Sequence, residues 1–389
     1  MYYFEYPTAD TTIFEGNLTS SLNAGLDEIL EVQKLKDVSG TVIQSSRILM
    51  KFDYSNISRY KTNGTIPSDA KYYLNLFDAG SVGLAVEQDL YVYMIEGSWS
   101  QGTGFTSSDP VVEDGASWKY RSGTTQWVDG SDTQGGTWFT GSFTNQYSIS
   151  SSIHLNQDTK DLRIDVTDLV NNHVLSSSSY PNNGFIIKRL NTPTSQSAFT
   201  IFDPTTATGS AEHDTSEQGT LKFFSKETHT IYPPKLEVEW DDSKWSTGSL
   251  DPLSSTDLER LTVYFKGIRP EYKEKSRVRF RLVGRELYPT RGFNTTPAAL
   301  TVKYLPSGSR ALEHGTYYSV KDASTGETIV PYSTGSIVSC DAQGNYFNIW
   351  MDTFQPERFY KFEVKVVSGS GTDQTSMIYD EGYEFKVVR

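Results

Sequence analysis

Residues 221–242 read LKFFSKETHTIYPPKLEVEWDD and crowd Ser225, Lys226, Glu227 and His229 ahead of two aspartates. On a strand, Glu227 and His229 would share a face, and such a pair suits general acid–base work when both groups reach one proton. No nucleophile stands beside them. The stronger expectation is therefore structural: a strand end before the Tyr232-Pro233-Pro234 turn, with Glu227 and His229 keeping a lesser catalytic claim. Glycoside hydrolysis would need two carboxylates about 5 to 9.5 Å apart. The first 257 residues hold 33 Asp and Glu, but none sits in a recognisable hydrolase motif.

Cofactor chemistry finds little footing. The five histidines are scattered and Cys340 is the one cysteine, which excludes an intramolecular disulfide and a cysteine zinc site. The runs DVTDL, EWDD and DGSDTQGG could lend oxygens to calcium, yet none fits a calcium-loop pattern, and solvated loop acids are the preferred reading. GTGF and DGSDTQGGT lack the lysine of a phosphate-cradling loop. No catalytic residue, metal or cofactor is expected.

Two sets of residues are better suited to binding. Trp127 and Trp138 lie among Gly and Thr, where indole faces could stack on a sugar ring or anchor an interface. Trp99 and Trp118 read as core or loop-packing residues. The run RPEYKEKSRVRFRLVGRELYPTR, residues 269–291, carries eight basic residues against three acids. If Val278, Phe280 and Leu282 point inward, Arg277, Arg279 and Arg281 line one outer face. That face is either a charge-protected strand or a contact for an acidic partner, such as the front of a neighbouring subunit.

These residues are carried on strands. Period-two alternation recurs in SRILMKF, KYYLNLF, DLYVYMI, GFIIKRL and PKLEVEW. The last places Leu236, Val238 and Trp240 inward and Lys235, Glu237 and Glu239 toward water. Helical spacing is confined to SLNAGLDEILEVQKL and DVTDLVNNHVL, the second capped by Asp165 or Thr167. The aperiodic stretch 243–257 reads as a linker between a front domain, 1–242, and a back domain, 258–389. Strands resume in the back domain, where Tyr360, Phe362, Val364 and Val366 share a face. The net charge of −13 is uneven. From Leu258 onward there are 18 basic and 15 acidic residues, net +3; before it there are 17 and 33, net −16. The overall charge argues against nucleic acid as a partner, and no apolar run approaches the roughly 20 residues of a membrane span.

Several segments, in order, resemble a known family: ADTTIFEGNLTSSLNAGLDEILEV, which in that family reads as strand, Gly/Asn loop and Leu-rich strand, then SRILMKFDYSNIS, AKYYLNLF, DLYVYMIEGSW, GASWKYR with Trp127, LRIDVTDLVNNHV, NNGFIIKR and LKFFSKETHTIYPPKLEVEW. Together they resemble the DNRLRE-type jelly-roll module, related to carbohydrate-binding modules, with a long Gly/Ser/Thr-rich insertion after Trp118. MDTFQPERFYKFEVKVV resembles the tyrosine corner of immunoglobulin- and fibronectin-like sandwiches, with Tyr360 as the tyrosine and Phe354 as its packing partner. The resemblance implies an all-β chain: an N-terminal jelly-roll β-sandwich followed by a C-terminal immunoglobulin-like β-sandwich. Such a pairing, with no export signal at the start, looks like a structural protein of a tailed-bacteriophage virion, acting in the tail, neck or fibre-attachment region. Its partners would be other virion proteins and further copies of itself. The alternative is an adhesion protein that recognises host surface glycans.

Overall fold

The computed structural model describes the chain except residues 17–18, 37–42, 85–87, 128–133, 140–147, 149, 156–160, 176–180, 190–216, 254–256, 289–301, 310–313 and 370. Strands dominate it, and the described α-helices are Ser55–Thr62 and Thr167–Leu175. Two compact units emerge: Glu5–Glu237, and Met1–Phe4 together with Val238–Arg389. The chain passes from one unit to the other inside the strand Lys235–Glu239.

In the front unit one antiparallel sheet runs, strand by strand, through Gly219–Phe224, Ile29–Lys36, Ile43–Phe52, Phe185–Arg189, Gln88–Met94 and Ser150–Leu155. Pro7–Phe14 also pairs with Ile43–Phe52. Cross-strand rows such as Ile48–Ile187–Val92 and Met50–Phe185–Met94 form its buried apolar face. In a second sheet, Lys71–Leu76 lies between Lys235–Glu239 and Leu162–Asp165 and buries Tyr72, Leu74 and Leu76. The alternation in SRILMKF and DLYVYMI predicts the inward Ile48, Met50, Phe52 and Leu90, Val92, Met94, whereas KYYLNLF allows two registers and the structure buries the one with Tyr72, Leu74 and Leu76.

Three expectations fail and one helix is unforeseen, each for an identifiable reason. The segment SLNAGLDEILEVQKL is not helical: it turns, then enters the strand Ile29–Lys36, whose Leu30, Val32 and Lys34 alternate inward. The helix Ser55–Thr62, absent from the sequence reading, starts where Asp53 accepts from the Ser55 N–H at 2.9 Å and from its hydroxyl. Glu237 and Glu239 do not face water. Glu237 is covered while accepting from Arg163 at 2.7 Å and Asn75 at 3.0 Å, and Glu239 while accepting from Ser333 Oγ at 2.6 Å and the Gly335 N–H at 3.2 Å. Hydrogen-bonded carboxylates tolerate burial that bare ones do not. The described part of 243–257 is not a free linker either. Ser246 donates to the Cys340 carbonyl, Cys340 to the Lys244 carbonyl and Leu253 to the Tyr304 carbonyl, so it is laid along the back unit. The helix Thr167–Leu175 is as expected, with Asp165 Oδ1 accepting from the Thr167 N–H at 2.9 Å.

The back unit is a pair of sheets over one apolar core. The first orders Leu261–Lys266, Arg277–Glu286, Gly344–Trp350 and Ser339–Asp341. The second orders Glu271–Lys273, Glu384–Val388, Phe359–Ser368, Gly315–Asp322 and Thr328–Val330, with Thr375–Tyr379 also on Phe359–Ser368. Phe265, Phe280, Phe347, Phe362 and Phe385 stack at its centre, and Tyr2 and Phe4 join the same cluster. Tyr360, Phe362, Val364 and Val366 are all buried on one face, as their alternation requires. Tyr360 donates its hydroxyl to the Gln355 carbonyl at 2.9 Å, and its ring lies 4.7 Å from that of Phe354. The corner contact expected of these two residues is present.

Candidate functional site: an arginine face and a groove in the back unit

The strand Arg277–Glu286 buries Phe280 and Leu282 and packs Val278 against the same core, which leaves Arg277, Arg279 and Arg281 on the outer face. Antiparallel register sets Trp350 opposite Arg277, Asn348 opposite Arg279 and Tyr346 opposite Arg281. The guanidinium of Arg277 lies 5.3 Å from the Trp350 ring centre, and those of Arg279 and Arg281 lie 4.2 and 5.1 Å from that of Tyr346. Such contacts hold a flat cation over an aromatic face and fix its direction.

The three arginines are not equivalent. Arg281 is committed to a two-pronged pair with Asp341, at 2.6 and 2.8 Å. That hydrogen bonding holds the Asp341 carboxyl below the usual carboxylate range. Arg279 donates to Asn348 at 3.2 Å and is 3.8 Å from Asp341, while Arg277 is 3.9 Å from Asp242. The side chains of Arg277 and Arg279 remain 44% and 49% exposed, and a guanidinium has five N–H donors. Both therefore keep donor capacity for an outside acceptor. They also border a groove of about 700 Å³, where Arg269 and Lys273 add two cations and Glu271 one carboxylate.

The cluster in SKETH is drawn together with residues that its sequence neighbourhood does not reveal. Glu227 Oε1 accepts from Gln101 at 3.1 Å and pairs with Lys226, which holds its carboxyl low. Asp10, 1% exposed, accepts from the Lys226 backbone N–H at 2.7 Å. Burial pushes the Asp10 carboxyl up to about 7, opposed by that bond and by the Lys226 charge and reinforced by Glu227. One carboxyl is raised and the other lowered, a divergence that often marks acid–base pairs. Here the raised group is covered and the lowered one is already paired. Ser225 donates to the Asp27 carbonyl at 2.6 Å and accepts from the Glu227 N–H, so it holds the turn.

Trp127 and Trp138 are 3% and 2% exposed, so the expectation of open indole faces is corrected. With Trp118 they cover the outer side of the large front sheet, against Ile13, Leu49 and Ile186. Trp138 lies under both Arg47 and Lys188, at 5.1 and 4.7 Å, and Trp127 donates to the Ser117 carbonyl at 2.9 Å. The chain returns to the sheet through Gly135, φ 80°, whose carbonyl accepts from Arg47. A Cβ there would meet Arg47 and Trp118 at 2.5 to 2.9 Å, so glycine is required.

Among the described residues no group of three or more His, Cys, Asp and Glu is placed to hold a metal ion. The calcium candidate DGSDTQGG lies mostly outside the described residues. No described helix is long and apolar enough to cross a membrane. No protein-family model matches the chain, and no curated protein matches it.

Sequence reasoning found the arginines but not their partners. Alternation in NYFNIWM sets Tyr346, Asn348 and Trp350 on one face, which was a usable signal; which strand that face would meet was not. Asp10 and Gln101, far from SKETH in the chain, gave no signal.

Proposed function

We propose that this chain is a non-enzymatic structural protein of a tailed-bacteriophage virion, built from a jelly-roll-like front unit and an immunoglobulin-like back unit. It acts in the tail, neck or fibre-attachment region by docking on acidic surfaces of neighbouring proteins. The observation that carries the docking role is the pair Arg277 and Arg279, half exposed, aimed by aromatic neighbours and seated on a sheet. A rigid, pre-aimed guanidinium loses less freedom on binding than one on a loop. The tyrosine-corner contact of Tyr360 supports the immunoglobulin-like assignment. The phage setting rests on the resemblance of the two units, taken as a pair, to a jelly roll followed by an immunoglobulin-like sandwich. The burial of Trp127 and Trp138 closes the two indole faces singled out for glycan contact, which favours the docking reading.

The docking role is tested with an immobilised oligoglutamate peptide and the intact protein. Binding should weaken steeply with salt and be lost in Arg277→Glu/Arg279→Glu. Equal binding by that variant would overturn the assignment. The virion setting is tested by the genes beside this one: capsid, portal or tail genes support it, and a metabolic neighbourhood sinks it.

A further inference from the structure

The front unit has a groove of its own, of about 420 Å³, whose chemistry is opposite to that of the arginine face. Its apolar lining is Phe14, Leu22 and Ile29, and its carboxylates are Asp27, Glu28 and Glu31. Glu31 already has a cation, Lys222, at 3.3 Å. Among the described residues the Asp27 carboxylate accepts from the Thr106 N–H, at 3.2 Å, and no cation is paired with it. Burial raises its carboxyl above the ordinary range, with Thr106 the one group pulling it down. A half-buried carboxylate in that position gains from an incoming guanidinium. The apolar lining suits the methylene stem of an arginine, which packs on such surface while its head stays polar.

The same chain supplies that cation. Residues before Leu258 carry a net −16 and those from it onward +3, and the groove of the back unit brings Arg269, Lys273, Arg277 and Arg279 together against one carboxylate, Glu271. We propose that the partner of the arginine face is a second copy of this chain, with Arg277 and Arg279 of one copy entering the Asp27–Glu28 groove of the next. This rests on the docking role assigned above to the arginine face. Because the two patches differ, the contact is heterologous: each copy offers one donor patch and one acceptor patch, and the assembly grows as a ring or a filament.

Sedimentation velocity of the full chain over a concentration series tests this. At about 50 mM salt the wild type should form oligomers, which should dissociate at about 500 mM, where the screening length is a third as long. Arg277→Glu/Arg279→Glu and, separately, Glu28→Lys should each weaken self-association by at least about tenfold. Both sets of side chains are exposed, so the fold is retained; Asp27→Asn, nearly isosteric, serves as a second groove variant. The decisive measurement is the mixture of the two charge-reversed proteins. Each keeps one intact patch, so together they form at least one good interface, and mixed oligomers should appear where neither protein associates alone. A wild type that stays monomeric at low salt, or variants that still self-associate, would overturn the proposal. If the wild type is monomeric yet still binds oligoglutamate through Arg277 and Arg279, only the identity of the partner fails. If that binding is absent as well, the docking role fails with it.

Discussion

Replacing Asp10 with asparagine should stabilise the front unit, and increasingly so as pH rises. Asp10 is nearly inaccessible, and the one hydrogen bond to its carboxylate among the described residues comes from the Lys226 backbone, while the Lys226 ammonium is turned to Glu227. Burial therefore wins, and the folded carboxyl titrates near 7, against about 3.9 in an unfolded chain. Between those values the unfolded state releases a proton that the folded state retains. The stability linked to the protonated carboxyl is full below about pH 3.9 and is lost as pH rises to 7, at about 1.4 kcal/mol per unit. From pH 5 to pH 8 the loss comes to roughly 2.5 kcal/mol, since it levels off once the folded group ionises. The amide of the Asp10→Asn variant keeps an acceptor for the Lys226 N–H and has nothing to ionise. Urea unfolding followed by tryptophan fluorescence, at pH 5 and pH 8, should show the variant's advantage over wild type widening by about that amount. Parallel pH dependences for the two proteins would refute the argument, because they would mean that Asp10 is ionised in the folded state throughout.

Three further outcomes follow from single contacts. Trp138→Ala should cost about 3 to 5 kcal/mol of front-unit stability, read by thermal or urea unfolding, because it empties a buried site beneath Arg47 and Lys188; a change under 1 kcal/mol, on the order of an exposed-site effect, would mean the indole is not core. Tyr360→Phe should cost the back unit about 1 kcal/mol by loss of the hydroxyl bond to the Gln355 carbonyl, and unchanged unfolding would show that the corner bond contributes nothing. Cys340 is buried, and its thiol is pushed up to about 11, first by burial and then by Asp341. It should react with a thiol reagent at pH 8 only after denaturant is added, and rapid labelling of the native chain would contradict its placement.

The sequence by itself determined which side of several strands turns inward. Leu90, Val92 and Met94, or Tyr360, Phe362, Val364 and Val366, alternate with polar neighbours, and a period of two leaves one arrangement that buries them. It also placed Arg277, Arg279 and Arg281 on an outer face, since Phe280 and Leu282 had to go the other way. The Tyr360–Phe354 corner was legible because its partners are near in the chain. Tertiary structure alone decided what covers the other face. Trp127 and Trp138 looked like surface residues among glycines and threonines, but the sheet of Leu49 and Ile186 exposes apolar side chains on both sides, and the indoles close the second. Glu237 and Glu239 alternated as solvated positions, yet Arg163, Asn75 and Ser333 supply the bonds that make their burial tolerable. Asp10 owes its raised carboxyl to burial, and the one backbone N–H that opposes the rise comes from a turn more than 200 residues away in the chain. Periodicity is local and fixes a side chain's direction. Strand register, the covering of a face and the titration of a buried group depend on segments distant in sequence, and one strand's pattern does not encode them.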